Sequence, residues 1–113
     1  MLVGAGRLVE NECDAIDLNL GCPQARACDA HIGAYLLGKA DWPLVLSMVS
    51  ACHRELNIPI TCKIRLLPDL NDTITLCKLL EQAGCSLIAV HGRYLLHHLC
   101  FPLDLMFLFP LVL

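Results

Sequence analysis

The stretch Ile60-Thr61-Cys62-Lys63-Ile64-Arg65-Leu66 decides the fold class. It opens directly after Pro59, is rich in β-branched residues and is apolar at every second position from Ile60. That alternation reads as a strand with one face in a core. Upstream, Asp41 is placed as an N-cap and Pro43 suits a first helical turn. From there Val45, Met48, Val49, Cys52 and Leu56 fall on one face of an amphipathic helix. Downstream, Asn71 or Asp72 is expected to cap a second helix, with Ile74, Cys77 and Leu80 together with Leu76, Leu79 and Ala83 as its buried face. Gly84 is placed for a left-handed stop. Residues 86–90 then form an apolar strand that ends at His91-Gly92-Arg93. On the other side, residues 14–20 alternate and break at Gly21-Cys22-Pro23, a strand running into a turn. Residues 24–39 read as an irregular loop with room for a short helix, and residues 1–6 hold no strand of convincing length. The order β-α-β-α-β, repeating near the roughly 30 residues of a βαβ unit, predicts an α/β fold with three parallel strands and two helices.

Composition sets the outer limits. A length of 113 residues allows one domain. With 57% hydrophobic residues and a net charge of only −3, the chain is not disordered, and it lacks the basic excess of a domain that binds nucleic acid by itself. The eight cysteines do not read as a disulfide scaffold. No signal peptide is visible at the start, and no CxxC pair or zinc-type Cys/His spacing occurs. Cys52, Cys62, Cys77 and Cys85 lie inside apolar periodic segments, where a reduced thiol acts as a small hydrophobe. The expected setting is therefore a reducing, intracellular one, cytoplasmic or nuclear, with no metal site. Residues 99–113 are nearly all apolar, but they are shorter than the roughly 20 residues of a membrane span and are interrupted by Pro102, Asp104 and Pro110. They read as a divergent apolar tail over 94–113, behind a domain at 8–93.

In parallel α/β folds, ligands bind beyond the carboxyl ends of the strands. Chemically capable residues stand there on all three: Asn19 and Cys22 after the first, Lys63 and Arg65 on the second, His91 and Arg93 after the third. Each taken singly has an ordinary reading, as a buried thiol, a solvated lysine or a hydrogen-bonded structural histidine. Their convergence on one end of one sheet is what points to a site. Cys22, held between a Gly turn and Pro23, can act as nucleophile or proton donor. Lys63 can stabilise an anion such as a phosphate, a reduced flavin or an enolate, and His91 can bind a cofactor or shuttle a proton. No Gly-rich dinucleotide fingerprint, Walker loop or HExxH motif is present.

The wording of the strand ends narrows this further. Residues 14–24 (DAIDLNLGCPQ), then GAYLL at 33–37, ITCKIRL at 60–66 and LEQAGCSLIAVHGR at 80–93 resemble, in order and spacing, the central part of tRNA-dihydrouridine synthases, in particular the branch acting on the tRNA D-loop in eukaryotes. The resemblance implies an FMN-dependent oxidoreductase on a TIM (β/α)8 barrel. With NAD(P)H as reductant, such an enzyme reduces uridine to 5,6-dihydrouridine in tRNA. It also implies roles by position. Cys22 matches the catalytic acid, and Asn19 the residue that positions flavin and uracil. Lys63 and His91 match residues contacting the flavin ring, and Arg93 follows in the same motif. The tRNA is the implied partner, with no membrane.

Two departures shape the expectations. Where family members of this type carry a basic loop, residues 25–34 read ARACDAHIGA, with Asp29 in place of a basic residue. The chain also holds three strands of a barrel that needs eight, so a half-sheet with two open edges is expected, and tight FMN binding is not. After passage of the FMN-mixed chain through a desalting column, no flavin absorbance is expected to remain with it. Competing readings are an inactive truncated piece of the same fold, another flavin-barrel oxidoreductase, and a small membrane-associated protein using the apolar tail.

Overall fold

A computed structural model of the chain describes residues 1–94 and 106–110. Strand β2 (Ile60–Leu66) lies between β1 (Ile16–Asn19) and β3 (Cys85–Tyr94) and runs parallel to both. Helix α3 (Trp42–Glu55) connects β1 to β2, and α4 (Leu70–Gln82) connects β2 to β3. The expected β-α-β-α-β order is therefore present. Between β1 and α3 the chain forms a one-turn helix α2 (Ala25–Asp29) and two 3₁₀ turns, Gly33–Leu36 and Lys39–Asp41.

The alternation in β2 does what its pattern requires. Ile60, Cys62 and Ile64 are fully buried, while Thr61, Lys63 and Arg65 are only half-buried. The buried set joins Leu18 of β1 and Ile88 and Val90 of β3 in one core with Val45, Val49 and Cys52 of α3 and Leu76 and Leu80 of α4. Both helices thus press on the same apolar residues, leaving the half-buried positions of β2 pointing the other way.

Several local expectations need correction. Residues 1–6 hold no strand, as the sequence reading expects, but residues 2–6 lie in helix α1 (Leu2–Val9), which that reading does not anticipate because two glycines weaken helix propensity. Tertiary contacts account for it. Gly6 packs so closely on Leu56 that a Cβ there would lie 2.6 Å from Leu56 Cδ1. Arg7 pairs with Glu55 at 2.6 Å, and Glu10 accepts from the Asn57 amide at 2.9 Å. Helix α4 is capped by Asp69, whose carboxylate accepts from the Asn71 amide at 2.8 Å, rather than by Asn71 or Asp72. The helix docks with Thr73, Leu76 and Leu80 buried and leaves Ile74, expected on the buried face, exposed. Burial of Thr73 is tolerated because its hydroxyl accepts from the Leu67 amide at 2.9 Å.

The third strand does not end at Val90. It runs to Tyr94, with a bulge that slips the register from Arg65↔His91 to Leu66↔Tyr94. Its outer edge is not open either: β4 (Met106–Pro110) pairs with it antiparallel, from Leu87↔Pro110 to His91↔Met106. Of the tail expected over 94–113, residues 95–105 and 111–113 lie outside the described residues. Among those described, no helix is long and apolar enough to cross a membrane.

Candidate functional site

Paired residues on neighbouring strands share a face of the sheet, so the register places the polar side chains. Asn19 pairs with Lys63, and Lys63 with Ala89. One row further toward the carboxyl ends, Arg65 pairs with His91. One row behind, Thr61 pairs with Asp17 and donates its hydroxyl to that carboxylate at 2.7 Å. An amide, an ammonium, a guanidinium and an imidazole therefore occupy the face opposite the helices, at the end where parallel sheets bind ligands. Arg93 falls inside the bulge of β3, where the slipped register separates it from the Lys63 row.

The loop after β1 is drawn onto this group. Leu20 donates its amide to Lys63 O at 2.8 Å, which extends the pairing past Asn19. The Gly21 amide then donates to Asn19 Oδ1 at 3.0 Å, and Arg65 Nε donates to Gly21 O at 2.6 Å. A Cβ built on Gly21 would lie 3.5 Å from Asn19 Oδ1 and 3.6 Å from Lys63 Nζ, so Asn19 and Lys63 meet at this glycine. Cys22 follows directly and is half-buried. The structure thus brings Asn19, Lys63 and the loop carrying Cys22 together, with Arg65 and His91 in the adjoining row. Arg65 has a holding role that its residue type alone does not reveal.

The cysteines of the apolar segments are of a different kind. All seven described cysteines are free thiols. Cys62 shares a hydrogen bond with Cys85, and this, with burial, pushes the Cys62 thiol far above its ordinary value. Burial also raises Cys52 and Cys77. Cys52, Cys62 and Cys77 are neutral core fillers, as the apolar periodicity implies. Among the described residues no group of His, Cys, Asp or Glu is arranged to hold a metal ion.

Charge around the loop is locally compensated. His31 lies 3.1 Å from Asp41, and Lys39 pairs with Asp72 at 2.8 Å. The Asp72 hydrogen bond raises the Lys39 ammonium above its usual value. Asp41 therefore sits at the start of α3 with its carboxylate turned to His31 rather than to a helix amide.

Sequence reasoning missed Tyr35, which donates its hydroxyl to Pro23 O at 3.1 Å, one residue beyond Cys22. Partial burial and the neighbouring Cys28 thiol push this phenol above its ordinary value, so it stays a donor. The signal for it in the sequence is its place within GAYLL at 33–37, a stretch that carries the resemblance without assigning Tyr35 a role.

Comparison with known proteins gives the family. The family model described as dihydrouridine synthase (Dus) matches residues 1–99. The chain is 46% identical over 93 residues to the tRNA-dihydrouridine(16/17) synthase NAD(P)(+)-like protein of Mus musculus, a match covering 82% of this chain and 19% of the relative. It is 40% identical over 92 residues to tRNA-dihydrouridine(16/17) synthase of Saccharomyces cerevisiae, covering 81% of this chain and 21% of the relative. Against tRNA-dihydrouridine synthase B of Pseudomonas aeruginosa the identity is 41% over 91 residues, covering 79% and 27%. The chain thus spans 19% to 27% of the length of these curated relatives.

Proposed function

Because the chain belongs to the dihydrouridine synthase family, we propose that it carries the central site of an FMN-dependent tRNA-dihydrouridine synthase, on three strands of a TIM barrel. The reaction is the reduction of a tRNA uridine to 5,6-dihydrouridine with NAD(P)H. One observation carries this reading: Asn19, Lys63 and His91 share the face of the sheet opposite α3 and α4, beside the loop that holds Cys22.

This donor set suits a flavin. Amide, ammonium and imidazole groups all offer N–H donors, and the flavin ring presents carbonyl oxygens and ring nitrogens as acceptors. Asn19, Lys63 and His91 would hold the ring system, with Arg93 as a further contact. Bound there and reduced by NAD(P)H, FMN would supply hydride chemistry at C6 of the uracil. The chain's own residues do the rest. Hydride addition at C6 leaves C5 in need of a proton, and the Cys22 thiol, on its tethered loop, is the donor. The Lys63 cation stabilises negative charge that builds at the site, in a position set by its pairing to Asn19 and Ala89. Asn19 both caps the Gly21 amide and borders the place of the uracil, so loop geometry and substrate position are linked. The uracil has to leave its stack to arrive there. Residues 25–34 contribute one formal cation, Arg26, against Asp29, so this loop adds little phosphate attraction.

The test supplies the 113-residue chain with excess FMN, NADPH and unmodified tRNA, followed by digestion and mass spectrometry of the nucleosides. Dihydrouridine is expected, and omitting either FMN or NADPH is expected to abolish it. Dihydrouridine no higher than in a protein-free control would overturn the reading in favour of an inactive piece of the same fold.

A further inference from the structure

We propose that the segment Gly33-Ala34-Tyr35 is a clamp that positions the Cys22 thiol, with Tyr35 as a positioning residue. The significance of the clamp rests on the reading of Cys22 as proton donor; its existence rests on hydrogen bonds alone. Consecutive carbonyls after β1 are each tied down by a different donor. Gly21 O accepts from Arg65 Nε at 2.6 Å, Cys22 O from the Ala34 amide at 3.0 Å, and Pro23 O from the Tyr35 hydroxyl at 3.1 Å. Gln24 O then accepts from the amides of Ala27 and Cys28, at 2.9 and 3.1 Å. The peptide planes before and after Cys22 are thereby held, so rotation of the thiol about its own side-chain bond is the main freedom left.

The segment making these bonds is itself anchored. Gly33, Ala34, Leu36 and Leu37 are buried, and the Trp42 indole donates to Leu37 O at 2.8 Å. Gly33 has φ +62°, and a Cβ there would stand 2.9 Å from both Cys22 Cβ and Cys22 O. Only glycine fits both the backbone conformation and that approach. The clamp therefore reaches Cys22 from a core-fixed base, the arrangement that keeps a proton donor within the narrow geometry its transfer demands.

Tyr35→Phe removes one donor and keeps the ring, and it is tested by iodoacetamide labelling followed cysteine by cysteine with mass spectrometry. Cys13, exposed and bonded to Val9 O on the α1 side, is the internal reference. The ratio of Cys22 to Cys13 labelling rates is expected to rise about fivefold, the change in open population that loss of one ordinary hydrogen bond produces. Hydrogen exchange at the Ala34 amide is expected to rise with it, while the β2 amides stay protected. Gly33→Ala should raise the ratio further. An unchanged ratio with unchanged Ala34 exchange would overturn the clamp, as would a rise in exchange spread equally over β2. These readouts need no turnover. If dihydrouridine fails to form while the labelling contrast holds, the functional reading alone falls. If synthesis is normal and the ratio does not move, the clamp alone falls.

Discussion

Replacing Cys22 by Ala is expected to lower the rate of dihydrouridine formation by about 10²–10⁴-fold, the usual worth of a positioned general acid. The substitution removes the sulfur and its proton but none of the backbone bonds around it. The contacts of Gly21 to Asn19 and Arg65, and of Cys22 O to the Ala34 amide, involve only main-chain atoms of residues 21 and 22. The loss is therefore expected in kcat, with the KM for tRNA little changed. Reduction of the added FMN by NADPH in the absence of RNA is expected to continue at the unmodified rate, because the hydride then stops on the flavin and no proton has to reach a uracil. Steady-state kinetics on the purified variant, with both activities measured, decides it. A variant retaining a third or more of the original rate would show that another group delivers the proton.

The second large effect concerns the sheet that carries the site. Ile64→Ala is expected to destabilise the fold by about 2–5 kcal/mol, the range for truncating a fully buried aliphatic side chain. Ile64 is wholly inaccessible, lies on the central parallel strand, and pairs with Val90 across the sheet. Both covering helices share its core cluster, so neither can collapse into the gap without leaving its other partners. Against a total stability of about 5–15 kcal/mol for an ordinary domain, the loss is severe. Urea unfolding followed by circular dichroism is the measurement, and the midpoint should fall by about 1–3 M at a usual slope for a small domain. Leu70→Ala is the control, since that side chain is 60% exposed at the start of α4. Equal shifts in the two variants would show that the apolar face of β2 is not the core.

The difference between what could be read and what could not follows the range of the forces involved. Strand β2 was legible to the residue because alternation of buried and half-buried positions is a local pattern with a local cause. Helix α3 followed from one apolar stripe and a proline in its first turn. The cap of α4 lies two residues before Asn71 and three before Asp72, because Asp69, Asn71 and Asp72 are chemically similar and only the helix start chooses among them. Helix α1 was invisible, since its two glycines argue against it and its support comes from Leu56, Glu55 and Asn57, far along the chain. The extension of β3 through Gly92 depends on a bulge that pairing with Leu66 imposes.

The candidate site divides in the same way. The residue types Asn19, Cys22, Lys63, His91 and Arg93, and their order at strand ends, stand in the sequence itself, because side-chain chemistry and strand period are properties of short segments. Which of them meet is a matter of register. Pairing sets Lys63 between Asn19 and Ala89, puts His91 beside Arg65, and leaves Arg93 in a bulge. The attachment of Tyr35, Ala34 and Arg65 to the carbonyls flanking Cys22 was likewise decided only by the fold. Those bonds join positions from 12 to 44 residues apart, and no local pattern can specify a donor whose partner arrives only when the strands and the loop pack together.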